Sequence, residues 1–360
     1  MKREYNKIIN QKEFEEGKLI LKSRPRVLFL ELTRNCNLYC SMCRPYNWYR
    51  SDWYMNEQVL NKVRDELFPY IEMVDLRGFG ESTMDNRLIA LASELGEKGI
   101  KTMIFSNMNT QNEDYWRQLV KTNINIALSI ETADPIKYSK IRRGGNFTRM
   151  KNNLLSAINA AEHTNIPYFT VVLSDDNIKE IKGLINFADE CGITKIQLNP
   201  ISRPDPNDRN GVCLYGFDKI SKDEIRKEFE DIIALAQKKK IRVELAANLF
   251  NENNVIKDKC IHPWSYVFIR YDGSVGFCDH LARVDASLKG NIMNTSFMEI
   301  WNGTLYQELR KAHRIHDYSM FELEGIECKW CEKNRYGNCE YIVDKKYEAI
   351  ELSKYYDINF

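Results

Sequence analysis

The stretch Glu31-Leu-Thr-Arg-Asn-Cys-Asn-Leu-Tyr-Cys-Ser-Met-Cys-Arg-Pro45 continues the apolar run VLFLEL (27–32) and sets Cys36, Cys40 and Cys43 in a C-x3-C-x2-C array. An apolar run of this length predicts a buried strand, which puts the three thiols on the loop at its carboxyl end. Ligand sites of parallel α/β folds are built at that end. Three thiolates within eight residues (36–43) supply three corners of a metal cluster, and the flanking Arg34 and Arg44 favour thiolate over thiol. A closed zinc site wants four ligands, and the histidines, at 163, 262, 280, 313 and 316, are all far downstream. A 4Fe-4S cluster on three cysteines leaves one iron open to a small molecule carrying an amine and a carboxylate.

Outward from this loop, short strand-like runs recur: VDLR (74–77), KTMIF (101–105), NIALSI (125–130), YFTVVL (168–173) and KIQL (195–198). Between them lie helical patterns such as NEQVLNKVRDELF (56–68), NRLIALASELGEKG (86–99) and NIKEIKGLINFADECG (177–192). Six alternations of strand and helix predict a parallel sheet, either doubly wound or a partial barrel. The pattern changes at the polar loop NPISRPDPNDRNG (199–211) and a charged helix at about 222–240, so a domain boundary is expected near residue 250. Beyond it, YVFIRYDGSVGFC (266–278) reads as two strands around an Asp-Gly turn. Cys260, Cys278, Cys328, Cys331 and Cys339 all fall in this last part.

Composition narrows the function. Among 360 residues, 52 Lys and Arg nearly cancel 51 Asp and Glu, and a net charge of +1 gives no field to attract nucleic acid or anionic lipid. No apolar run spans a bilayer, and the charged start MKREYNKIINQKEFEEGKLILK lacks a signal peptide's apolar core, so a cytoplasmic location is expected. In that compartment ten cysteines are metal ligands or redox groups rather than disulfides.

The cysteine array after the first strand resembles the signature of the radical S-adenosylmethionine (SAM) superfamily. That resemblance implies an α/β fold, a partial (β/α)6 TIM-like barrel over 26–250 after an N-terminal extension (1–25). It further implies that Cys36, Cys40 and Cys43 hold a 4Fe-4S cluster that binds SAM. Gly78-Phe79-Gly80-Glu81 then looks like the segment that takes the methionine amino group, its glycines allowing close approach and Glu81 accepting from the ammonium. Asn107, following Ser106, and Ser129-Ile130-Glu131 match polar residues that bind the SAM ribose and carboxylate, Arg142 or Arg143 is placed to pair with that carboxylate, and Met42 to pack on the adenine.

The C-terminal cysteines resemble a SPASM/twitch module, here expected over 251–341 with a helix or tail at 342–360. Five cysteines are fewer than a full SPASM module holds, which points to a twitch-type module with one auxiliary 4Fe-4S cluster on Cys260, Cys278, Cys328 and Cys331, with Cys339 an alternative ligand. The implied chemistry is reductive cleavage of SAM to a 5′-deoxyadenosyl radical, fed by a donor such as flavodoxin or ferredoxin, and removal of a hydrogen atom from substrate. Electron loss to the auxiliary cluster then gives oxidation. Hydrogen return, for which the Cys213 thiol is a candidate donor, gives epimerisation. Only 35 residues precede Cys36, too few for the leader-binding domain of many peptide-modifying relatives, which favours a sugar or aminocyclitol over a peptide or protein substrate. Readings of another class are a zinc-binding scaffold and an iron-sulfur electron carrier that does not turn over SAM.

Overall fold

A computed structural model describes residues 2–43, 49–161, 165–201, 219–245, 259–278, 290–319, 328 and 350–352. Seven parallel strands lead the chain: β1 (Val27–Leu30), β2 (Met73–Asp75), β3 (Lys101–Ser106), β4 (Asn125–Ser129), β5 (Tyr168–Leu173), β6 (Lys195–Pro200) and β7 (Arg242–Leu245). An opening helix α1 (Lys2–Glu15) precedes them, and between them run α2 (Glu57–Glu66), α3 (Leu88–Glu97), α4 (Glu113–Val120), α5 (Pro135–Ile141), α6 (Phe147–Ala160), α7 (Ile181–Cys191) and α8 (Lys222–Lys239). Then come α9 (His262–Ser265), the hairpin β8 (Tyr266–Ile269) and β9 (Val275–Gly276), α10 (Phe297–Trp301), α11 (Thr304–Ile315) and β10 (Ile350–Glu351).

Local chemistry sets these bounds. Asn56, Asn112 and Asn146 cap α2, α4 and α6 by accepting from the backbone N–H three residues on, and Asp134 caps α5 just before Pro135. Ser221 with Glu224 forms a capping box on α8, and α7 stops at Gly192 with φ +77°.

The strands form one open sheet in the order β10-β7-β6-β5-β4-β3-β2-β1-β8-β9. It is the expected partial barrel, mixed α/β and mostly parallel. All six expected strands are present, and β7 is a further one whose short RVEL run follows the charged helix α8, which buries Ile225, Phe229 and Ile232. Every residue of β1 is buried, as a strand covered on both faces requires. On β5, Phe169 packs on Phe187 of α7 at 5.7 Å, so Thr170 and Val172 face the inner side of the sheet.

The sheet continues past residue 250. β8 pairs in parallel with β1, Val27 opposite Tyr266 and Leu30 opposite Ile269, so the C-terminal module begins as a strand of the barrel's own sheet. Within the expected tail, Ile350–Glu351 pairs antiparallel with β7. The N-terminal extension is equally bound in: buried Asn10 of α1 donates to the Trp264 carbonyl at 2.6 Å and to Ser23 Oγ at 3.0 Å. Among the described residues, no helix is long and apolar enough to cross a membrane.

Arg310 of α11 closes this seam. Fully buried, it donates to the carbonyls of Pro263 and Leu19, each at 2.8 Å, and lies over the rings of Trp301 (4.6 Å) and Tyr306 (5.3 Å). Arg310→Ala leaves two acceptors and two ring faces without a partner and opens a cavity. We expect a loss of about 3 kcal/mol, read as a lower urea midpoint with an unchanged slope; an unaltered midpoint refutes this role.

Candidate active site

Glu31, one residue past β1, organises the mouth of the barrel. Its carboxylate is wholly buried and accepts from the Phe79 N–H (2.9 Å), while its own N–H donates to the Ile269 carbonyl (2.9 Å). Arg34 donates to it at 3.3 Å and lies over the rings of Phe79 and Tyr271. Burial raises the Glu31 pKa against the opposing pull of these partners. Arg34, read from sequence as a support for the thiolates, is therefore engaged at Glu31; Arg44 lies outside the described residues. Sequence reasoning passed over Glu31, whose only signal is a lone charge closing an apolar strand.

The glycines serve this junction. A Cβ on Gly78 would stand 2.3 Å from Glu31 Cγ, and one on Gly80 would stand 2.2 Å from the Thr33 carbonyl oxygen and 2.5 Å from that of Asn35. Close approach is thus required, with the cysteine loop itself as the surface approached. The Glu81 N–H donates to the Asn35 carbonyl at 2.7 Å, fastening the two loops.

Glu81 itself is buried. Its carboxylate accepts from the hydroxyls of Thr83 (2.7 Å) and Ser106 (2.8 Å) and from the Asn107 N–H (2.9 Å), and burial raises its pKa against these donors. Asn107, also buried, donates to Asn37 Oδ1 at 3.0 Å and reaches Cys36 Sγ at 3.9 Å. Glu131 and Arg142 form a buried bidentate pair (2.7 and 2.6 Å), and Arg142 Nη1 reaches Cys40 Sγ at 3.6 Å. Burial works against the Arg142 charge, yet the carboxylate outweighs it and holds the pKa above the ordinary guanidinium value. Burial raises the Cys40 thiol, with Arg142 opposing. Four residues expected to face SAM thus hold one another and the cysteine loop. Met42, Gly80 and Ser129 are half-buried and Gly78 is exposed.

The inner face of the sheet carries groups the sequence reading did not single out. Arg77 pairs with buried Asp75 (2.6 Å) and lies over the rings of Phe29 (5.2 Å) and Phe105 (4.2 Å). Charges two apart at the end of a buried strand were the available signal. Across the sheet, Gln197 Nε2 donates to Asn199 Oδ1 (3.1 Å) and Asn199 Nδ2 to Thr170 Oγ1 (2.8 Å), a polar row on β5 and β6.

Of the downstream cysteines, Cys278 and Cys328 are buried and Cys260 is half-buried, its sulfur 3.3 Å from His262 Nδ1. The His262 ring stacks on Tyr266 at 4.2 Å. Cys213, Cys331 and Cys339 lie outside the described residues. Among the described residues, no three His, Cys, Asp or Glu side chains stand gathered as a metal group. The donor chemistry at the first loop fits an iron-sulfur cluster: three cysteine thiols outside any disulfide, with an amide directed at one sulfur and a guanidinium at another.

Gly80→Ala tests how the loop is held. The new methyl meets carbonyl oxygens of the loop backbone, so we expect a cost of about 1–3 kcal/mol and a loss of about four irons per reconstituted chain, with the far-ultraviolet dichroism kept. Full iron content in this variant would show that the loop needs no such contact.

Comparison with known proteins fits this geometry. The family model described as the radical SAM superfamily matches residues 30–188, and one described as an iron-sulfur cluster-binding domain (SPASM) matches residues 260–332. A tungsten-containing aldehyde ferredoxin oxidoreductase cofactor-modifying protein of Pyrococcus furiosus is 21% identical over 307 residues, covering 79% of this chain and 83% of the relative. SuiB of Streptococcus suis, solved with SAM, aligns with a TM-score of 0.65 at 19% identity, over 97% of this chain and 81% of SuiB. The enzyme anSMEcpe with bound AdoMet aligns at 0.61 and 14% identity, over 93% and 92% of the two chains. At these identities the solved structures show a shared fold. With its three-cysteine loop after the first strand of an open parallel sheet and an iron-sulfur domain behind it, the chain carries a radical SAM domain over 30–188, which implies a 4Fe-4S cluster and SAM, and a SPASM domain over 260–332, which implies auxiliary iron-sulfur binding.

Proposed function

We propose that this enzyme removes a hydrogen atom from a peptide or protein substrate held on the inner face of its sheet, and that the outcome is an oxidation. The observation that carries the substrate class is the row of Thr170, Gln197 and Asn199, whose amides and hydroxyl suit a peptide's alternating N–H and C=O groups. Relatives of the same fold support it: SuiB has been solved bound to the precursor peptide SuiA, and anSMEcpe with bound AdoMet and the Cp18Cys peptide. This reading takes the place of the sugar or aminocyclitol favoured by the sequence.

Cys36, Cys40 and Cys43 would hold the SAM-binding cluster, and Cys260, Cys278, Cys328 and Cys331 the auxiliary one, with Cys339 an alternative. When bound and reduced by a low-potential donor such as ferredoxin or flavodoxin, the cluster and SAM supply a 5′-deoxyadenosyl radical able to take hydrogen from an unactivated C–H bond. The chain's own residues place and shield that chemistry. Gly78, Gly80, Met42 and Ser129 border the cofactor, while Glu81, Asn107, Glu131 and Arg142 keep the loop fixed so that little ordering remains to be done at turnover. Arg77, its Nε and Nη2 paired with Asp75 and its guanidinium lying over Phe29 and Phe105, contributes a fixed charge pair to the wall of the inner face rather than a free fork.

The test is anaerobic. The reconstituted protein should hold about eight irons and form 5′-deoxyadenosine from SAM and dithionite. Incubation with a deuterated peptide pool should transfer deuterium into that product. Transfer from deuterated sugars or aminocyclitols instead overturns the peptide reading, and zinc with intact SAM overturns the enzyme. Cys213→Ala should leave the product unchanged; a variant that still cleaves SAM but no longer inverts its substrate would make the reaction an epimerisation.

A further inference from the structure

Arg142 divides its guanidinium. Nε and Nη2 are taken by the two oxygens of Glu131 at 2.7 and 2.6 Å, and Nη1 points at Cys40 Sγ at 3.6 Å. Arg142 and Glu131 are 7% and 2% exposed, and Cys40 is 8% exposed, so water does not compete for these bonds.

The backbone keeps the arrangement in register. The Ser41 N–H donates to the Ile141 carbonyl and the Tyr39 N–H to the Arg143 carbonyl, each at 2.9 Å, so the cysteine loop is strapped to the end of α5 on both sides of Cys40. Arg142 is itself the C-cap of α5, its N–H bonded to the Tyr138 carbonyl at 2.7 Å. The chain then turns through Gly144 (φ +86°) and Gly145, where a Cβ would stand 2.8 Å from the Arg142 carbonyl oxygen. Tyr138 completes the wall, its hydroxyl bonded to Asn109 at 2.7 Å. An arginine whose fork is filled by a carboxylate and whose remaining nitrogen meets a sulfur is poorly placed to be a clamp for a cofactor carboxylate.

We infer that Arg142 is a positioning residue that sets the reduction potential of the three-cysteine cluster through the Cys40 sulfur, and that Glu131 serves to aim it. Reduction adds one electron, taken from a low-potential one-electron donor, to a cluster whose ligands are already anionic. A hydrogen-bond donor bearing positive charge at a ligand sulfur favours the reduced form, because hydrogen bonds to the sulfurs and local charge are what tune such clusters. The Glu131 carboxylate moderates this by balancing the charge while fixing its direction.

The inference rests on the proposed assignment of Cys36, Cys40 and Cys43 to the cluster, and the experiment separates the two. The full chain is reconstituted anaerobically, iron and sulfide are counted, and the clusters are titrated against potential by electron paramagnetic resonance without SAM. The three-cysteine signal is identified by its loss in a Cys36→Ala, Cys40→Ala, Cys43→Ala variant, in which the auxiliary signal stays; a variant that keeps the parent's full iron content and every one of its signals refutes the cluster assignment itself. Removing Arg142 alone would leave a buried carboxylate uncompensated, so the test uses Glu131→Gln with Arg142→Gln. That variant should load iron like the parent, yet at a fixed potential its ratio of reduced to oxidised cluster should fall about tenfold, a midpoint lower by about 59 mV for a one-electron couple. Glu131→Gln alone, which keeps the cation, should move the midpoint the opposite way. Unchanged midpoints at full iron content overturn the inference, whether or not SAM binding is lost. Should the double variant fail to load, Arg142→Lys decides: a ratio down at least threefold supports the inference, and an unchanged ratio sinks it.

Discussion

A buried carboxylate with no water to solvate it must collect its hydrogen bonds from the chain around it, and Glu31 does so at the one point where three parts of this protein meet. Its partners come from the loop after β2, from the start of the cysteine loop and, through the backbone, from the end of β8. The burial that raises its pKa also makes it intolerant of displacement. The glycine at 78 exists to let Glu31 in, and the glycine at 80 lets the next loop lie on the cysteine loop. From these close contacts follows the placement of Cys36 near Asn107 and of Cys40 near Arg142.

The polar residues of this mouth form a supporting shell. Glu81 joins the loops after β2 and β3, Asn107 passes the connection to Asn37, and Glu131 passes it from β4 to Arg142. Each is buried and bonded to its neighbours, the kind of fixed arrangement by which a site limits reorganisation during reaction. Satisfied networks of this kind are stiff, because loss of one member strands the others without solvent.

Much of this was legible in the sequence. Strands such as YFTVVL announce themselves because burial on both faces leaves no polar alternation, and the cysteine spacing named the site because few other functions want three thiols on one short loop. What escaped was whatever depends on a partner far along the chain. The RVEL run of β7 is too short and charged to stand out until its pairing with β6 is seen. Glutamates 81 and 131 look like ligand contacts from their positions, and only the packing shows them bonded to Ser106 and Arg142. The union of the C-terminal module with β1 was equally hidden, since pairing between residues 27 and 266 leaves no local trace.

That union fixes a direction. Cys36 lies beyond the carboxyl end of β1, whereas Cys260 lies before the amino end of its neighbour β8, and Cys278, on the run continuing β9, comes back toward that same end. The two thiol groups therefore stand at opposite poles of adjacent strands, separated by the rise of β1, about 3.3 Å for each residue. His262, stacked on Tyr266, occupies the lower pole beside Phe29. The sheet thus has an axis with a thiol group toward each pole, and a substrate held on its inner face, as proposed, would lie between them.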